Sequence, residues 1–265
     1  MRRYVLSLCT LLIAAASLQA QNFTTQPCKD SDEGSHWFGG NKSACEVRST
    51  TLPLANGSLN VHGTNGAIEV TGEDRRDIAL EARVTARAGS DAEAVSILRE
   101  VTIATSGTIQ ANGPKSFGER NWSVSYRLRV PHRLAAKLET VNGSVSLAAI
   151  NGEINAETTN GSVQLADLAG NVHVSTTNGS IKASLDGNTW HGAGLSAITT
   201  NGGVTVSVPP SYSAHLVAST TNGGISAVNG LSTSAGRHHK QLDTTLGNGG
   251  PTLSFETTNG GVKIQ

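Results

Sequence analysis

The chain has 265 residues, of which 37% are apolar, only 4% are aromatic and 30 are glycine. Its core must therefore be built from Val, Ile, Leu and Ala, and a large aromatic-lined pocket is not expected. Lys plus Arg equals Asp plus Glu at 20 each, and the one uninterrupted apolar run is N-terminal, which argues against nucleic acid and against a membrane-spanning body.

Residues 1–20 read as a secretory signal, with Arg2 and Arg3 ahead of an apolar stretch from Val5 to Ala16 and small residues before a cut after Ala20. A membrane anchor is the weaker reading, because that stretch falls short of the roughly 20 residues a span needs. Cys9 leaves with the signal, so the polar segment 21–49 keeps Cys28 and Cys45. Two cysteines in an exported chain predict one disulfide. It would close a loop rich in Asp and Gly, contributing about 3 kcal/mol by the loop-entropy model. His36 lies between the cysteines, so zinc is the competing use, but three ligands without a nearby fourth are a weak signal.

Residues 50–265 form a repeat domain. Leu59 and Val61 follow Gly57, and Ile68 and Val70 follow Gly66, in a register that returns further on. An insertion at 72–133 interrupts it. There Ile78, Leu80, Ala82, Val84 and Ala86 alternate as one strand, and Trp122, Val124, Tyr126, Leu128 and Val130 as another. Between them Ser90 and Glu93 have capping-box spacing ahead of a helical stripe of Ala94, Ile97, Leu98 and Val101. This strand-helix-strand section is expected to cap one end of the repeat, where open strand edges would otherwise invite other chains.

After residue 133, Asn-Gly recurs nine residues apart at Asn142, Asn151 and Asn160, and again at Asn178. Counted from each glycine, the third and fifth positions hold Val145 and Leu147, Ile154 and Ala156, Val163 and Leu165, Val172 and Val174, and Ile181 and Ala183. These positions should face inward, and the same slots return at Leu195, Leu216 and Leu253. The eighth position is Val141, Ile150, Leu168 or Val228 in some units and the second threonine of Thr-Thr-Asn-Gly in others, so it is read as inward too. That change of parity implies a corner. It predicts an all-β fold, a β-solenoid of about 18-residue coils, with a β-meander on Asn-Gly hairpins as the alternative. By the same parity the first threonines, Thr158, Thr176, Thr199 and Thr220, should face solvent in one column and form the candidate binding face.

The run Tyr126-Arg127-Leu128-Arg129-Val130-Pro131, its continuation Leu138-Glu139-Thr140-Val141-Asn142-Gly143-Ser144-Val145, the Thr-Thr-Asn-Gly turns and the closing Thr257-Thr258-Asn259-Gly260-Gly261-Val262-Lys263-Ile264 resemble the bacterial putative adhesin family, domain of unknown function 4097, of β-strand repeat proteins. The resemblance covers residues 50–265. It implies a surface-binding role and supplies no catalytic residues.

Acids are sparse after Leu134, and Glu139 and Glu157 share a register that stacks them on the surface, unlike the clustered carboxylates of polysaccharide-cleaving enzymes. His238 and His239 sit in a polar loop, and His173 occupies an outward slot. No serine elbow is present. Asn-Gly-Ser at Asn56, Asn142, Asn160 and Asn178 matches a glycosylation acceptor, but the turn explains it without a sugar. The expectation is an exported, non-enzymatic protein without cofactor or metal, in the periplasm, at the cell surface or outside the cell. Its partner would be an envelope or extracellular glycan or protein. The alternatives are an envelope structural or stress-accessory protein acting through a protein partner and, less favoured, a polysaccharide-active enzyme.

Overall fold

The computed structural model describes residues 23–28, 42–227, 240–265 and the backbone of 234–235. The signal segment 1–20, His36, Val228, His238 and His239 lie outside the described residues.

In chain order the strands are β1 (Thr24–Pro27), β2 (Lys42–Pro53), β3 (Ser58–Asn65), β4 (Ile68–Glu73) and β5 (Asp77–Ala88). The helix α1 (Asp91–Glu100) follows, then β6 (Thr102–Ala104), β7 (Thr108–Asn112), β8 (Asn121–Pro131) and β9 (Ala135–Asn142). The repeat continues with β10 (Val145–Asn160), β11 (Val163–Asn178), β12 (Ile181–Ser184), β13 (Gly194–Asn201), β14 (Val204–Ser207), β15 (Ala214–Asn222) and β16 (Ile225–Ala227). Last come β17 (Ser234–Ala235), β18 (Lys240–Leu246), β19 (Thr252–Asn259) and β20 (Val262–Ile264). Among the described residues the fold is all-β apart from α1 and a 3₁₀ turn at Ala55–Gly57.

Hydrogen bonds join the strands into two rows that share β10 and β11. The first row runs β1, β2, β5, β8, β4, the starts of β10 and β11, then β12, β14, β20 and β16. The second runs β6, β7, β3, β9, the ends of β10 and β11, then β13, β19, β15, β18 and β17. The middle of both rows is parallel and in register at the repeat spacing, with Val145 beside Val163 beside Ile181. Like side chains therefore stack on like, and each layer buries the next. Among the described residues antiparallel pairs occur only toward the ends: β1, β2, β5 and β8 in the first row, and β6 with β7 and β17 with β18 and β15 in the second.

The third and fifth slots are the core. Val145, Ile154, Val163, Val172, Ile181, Leu216, Leu253 and Phe255 are all buried to within a percent or so. The alternating residues of β5 and β8 point into the same core, with Leu80, Val84, Leu128 and Val130 buried. Helix α1 has Ser90 at its N-cap, where the hydroxyl accepts the Glu93 N–H at 3.3 Å, and it buries Ala94, Ile97 and Leu98 against β2 and β5. Its C-terminal end is held from outside the helix. Arg48 of β2 donates to the carbonyls of Val101 and, at 2.7 Å, Leu98, while Glu46 steadies its guanidinium.

Two features depart from the sequence reading. The chain does not stack its layers in order, because β19–β20 lie between β13–β14 on one side and β15–β16 on the other. Among the described residues the parity change is also confined to two of the units. In those it occurs at Ala149 and Asp167, whose φ values of 58° and 48° turn the chain so that Ile150 points inward. In the Thr-Thr-Asn-Gly units the strand keeps strict alternation through positions three, five and seven.

Candidate functional site

The alternation just described places the first threonine of each pair inside. Thr158, Thr176, Thr199 and Thr220 are 5%, 4%, 0% and 1% exposed, which corrects the expectation that they form a solvent column. Each hydroxyl donates at 2.8 Å to a glycine carbonyl of the adjoining layer: Thr158 to Gly143, Thr176 to Gly161, Thr199 to Gly179 and Thr220 to Gly260. Thr257 does the same to Gly202. A hydroxyl on a dry slot must find an acceptor, and the corner carbonyl supplies one. Val141, used as a sign that the eighth slot is inward, is 39% exposed.

The outward column is the second threonine. Thr159, Thr177, Thr200, Thr221 and Thr258 are exposed in successive layers. Beside them the asparagines form a continuous amide ladder through Asn65, Asn142, Asn160, Asn178, Asn201, Asn259 and Asn222, in which each Nδ2 donates at 2.8–2.9 Å to the Oδ1 of the asparagine before it in this order. The glycine that follows is required by contact between layers. A Cβ on Gly161 would lie 2.0 Å from the Gly143 carbonyl oxygen, and one on Gly179 2.0 Å from that of Gly161. Neither glycine has positive φ, so the corner needs glycine for close approach rather than for a left-handed backbone. Threonine inside, threonine outside, asparagine ladder and bare glycine together make a flat, repeated polar strip whose backbone spacing is that of a β-sheet, about 4.8 Å per layer.

A second feature crosses the layers on the outer face of the first row. It is a groove of about 400 Å³ whose lining includes Ser146, Gln164, Lys182, Thr205, Ala148 and Ala166.

The remaining candidates fall on the surface. Glu139 and Glu157 sit side by side on neighbouring strands. The Lys137 ammonium, 2.7 Å from Glu139, holds that carboxyl below its ordinary range, and His62 lies 3.4 Å away. His173 is exposed next to Asn155. His215 contacts the Asp243 carboxylate at 2.8 Å and the Thr252 hydroxyl at 3.3 Å, across β18, β15 and β19. Such a chain of threonine, histidine and acid has the order of a nucleophilic triad, but it lies on an exposed sheet face, where it ties β18 to the stack. Among the described residues no group of three His, Cys, Asp or Glu side chains could hold a metal. Cys28 and Cys45 are joined in a disulfide with their Cα atoms 5.6 Å apart, fastening the end of β1 to β2.

The sequence missed the second threonines because units of two kinds were pooled. Sorting the units by their seventh residue, threonine in one kind and Ala149 or Asp167 in the other, separates them and reveals which threonine is outward.

No helix among the described residues is long and apolar enough to cross a membrane. Among curated proteins none matches this sequence. Solved structures similar to this chain include a putative cell adhesion protein from Clostridium sporogenes, 13% identical with a TM-score of 0.40, over 84% of this chain and 99% of that one. A putative adhesin from Bacteroides fragilis is 13% identical with a TM-score of 0.42, over 83% and 97%. A putative lipid binding protein from Parabacteroides distasonis is 10% identical with a TM-score of 0.27, over 83% and 97%. Residues 108–248, more than half of the chain and running from β7 to just past β18, match the model of the domain of unknown function DUF7330, and the chain belongs to that family.

Proposed function

We propose that this chain is an exported, non-enzymatic β-repeat protein of the β-solenoid kind, acting as an adhesin-like module that binds a repetitive polymer of the cell envelope or extracellular surface. The observation that carries this reading is the strip of exposed second threonines beside the asparagine ladder. Its hydroxyls and amides are already ordered by the layers, so contact costs little further entropy, and equal contacts repeat along the stack. An extended glycan offers hydroxyl groups at a comparable repeat, which a small metabolite does not. The signal-like N-terminus, the disulfide and the resemblance to adhesins support export to that setting.

The test replaces Thr159, Thr177, Thr200 and Thr221 together with lysine, confirms the fold by circular dichroism, and measures binding to envelope polysaccharide and to whole cells. Loss of at least about tenfold in affinity, roughly 1.4 kcal/mol, is the expected result. Binding that survives at the level of the unmodified protein overturns the strip as the binding face. If Gln164→Ala with Lys182→Ala abolishes that surviving binding, contact belongs to the groove instead.

A further inference from the structure

Asn-Gly is the dipeptide most prone to spontaneous deamidation, because an unbranched glycine lets the backbone nitrogen reach the side-chain amide carbon. This chain repeats that hazard at nearly every corner, and the ladder answers it. The amide of Asn160 is bonded on both sides, to Asn142 and from Asn178, and the Gly161 N–H that would have to attack is given to the Asn178 carbonyl at 3.1 Å. Gly66, Gly179, Gly202 and Gly260 are held in the same way by the asparagine carbonyl of the adjoining layer. Elsewhere, the Gly249 N–H is donated to Leu246, and Asn151 lies within β10 with its N–H donated to His132.

Asn56 is built differently. It lies in the isolated 3₁₀ turn Ala55–Gly57, is exposed, and takes a left-handed φ of 53°, while the turn closes through a local bond from Ser58 N–H to the Ala55 carbonyl. A Cβ built on Gly57 would meet nothing within 4 Å, and the ladder begins only at Asn65. A single exposed turn opens far more readily than a strand between two layers.

We propose that Asn56 is a deamidation site of this protein, and that the Thr-Thr-Asn-Gly ladder protects the repeated asparagines by withholding both reacting groups. The Gly57 nitrogen attacks Asn56 Cγ, its proton and the side-chain nitrogen leave as ammonia, and a five-membered imide forms. Water then opens either of the imide C–N bonds, giving aspartate or isoaspartate at position 56. Either product places a carboxylate on the wall of the cleft of about 1310 Å³ that also carries Arg48 and Arg99, so the modification changes the charge of that cleft while leaving the repeat intact.

The full chain, purified from the exported fraction, is aged at mildly alkaline pH, digested, and each Asn-Gly peptide is followed by mass spectrometry, native and in denaturing urea. In the native protein the Asn56 peptide is expected to convert at least about tenfold faster than those of Asn160 and Asn178, reflecting the lower cost of opening the turn. In urea the three should convert at similar rates. Native Asn160 or Asn178 converting as fast as Asn56 overturns the protection. A native Asn56 that stays an amide while the denatured chain converts overturns the site. Asn56→Gln should remove the early product and leave the other peptides unchanged.

Discussion

Replacing Thr176 by valine keeps the side-chain shape and deletes one hydroxyl, leaving the Gly161 carbonyl at a dry corner without its donor. The expected cost is about 1–2 kcal/mol, read as a lower midpoint in urea unfolding. Thr177→Val, one residue on, meets solvent and should change stability by less than about 0.5 kcal/mol. Equal effects from the two would show that the inward threonine has been misassigned. Residue identity alone does not separate the pair, since both are threonine in the same tetrapeptide. What separates them is parity, counted from a core slot such as Val172 through Val174 to Thr176. That count is legible in sequence only once the corners at Ala149 and Asp167 are known to break alternation in the other kind of unit.

At the scale of elements, the helix was legible from Ser90, Glu93 and the stripe of Ala94, Ile97 and Leu98, because capping and amphipathicity are local. Its other end was not. The carbonyls of Leu98 and Val101 are satisfied by Arg48, fifty residues or more earlier on β2, and nothing near the helix announces that partner. Arg48→Met should therefore cost about 2 kcal/mol, since it strips a charged donor from two carbonyls and leaves Glu46 alone. Ser90→Ala, at the better-known end, should cost about 1 kcal/mol. Hydrogen exchange gives the finer test. Arg48→Met should speed exchange at Leu98 and Val101 more than at Ala94, whereas uniform acceleration along α1 would mean that the arginine does not hold that end.

For the whole molecule, the position of β19–β20 between β13–β14 and β15–β16 makes the C-terminus part of the middle of the stack. Deleting residues 251–265 should leave β15 and β16 without their parallel neighbours, and with them β18, which pairs with β15. Limited proteolysis should then cut within 212–246 while 135–184 stays resistant. If 212–246 remains as resistant as in the full chain, the layers stack in chain order instead. The sequence by itself determined the unit: its length, the inward third and fifth slots and the Asn-Gly corner, because each depends on residues within a few positions of one another. Only the tertiary structure decided which unit lies on which. Every layer offers its neighbour the same strand spacing, the same asparagine amide and the same glycine carbonyl, so Asn259 fits against Asn201 by the contact that Asn178 makes with Asn160. With the layer edges interchangeable, local chemistry does not choose among them. The order follows from how the connections run and from the antiparallel strand β18 on the far side of β15, neither of which is written in the repeat.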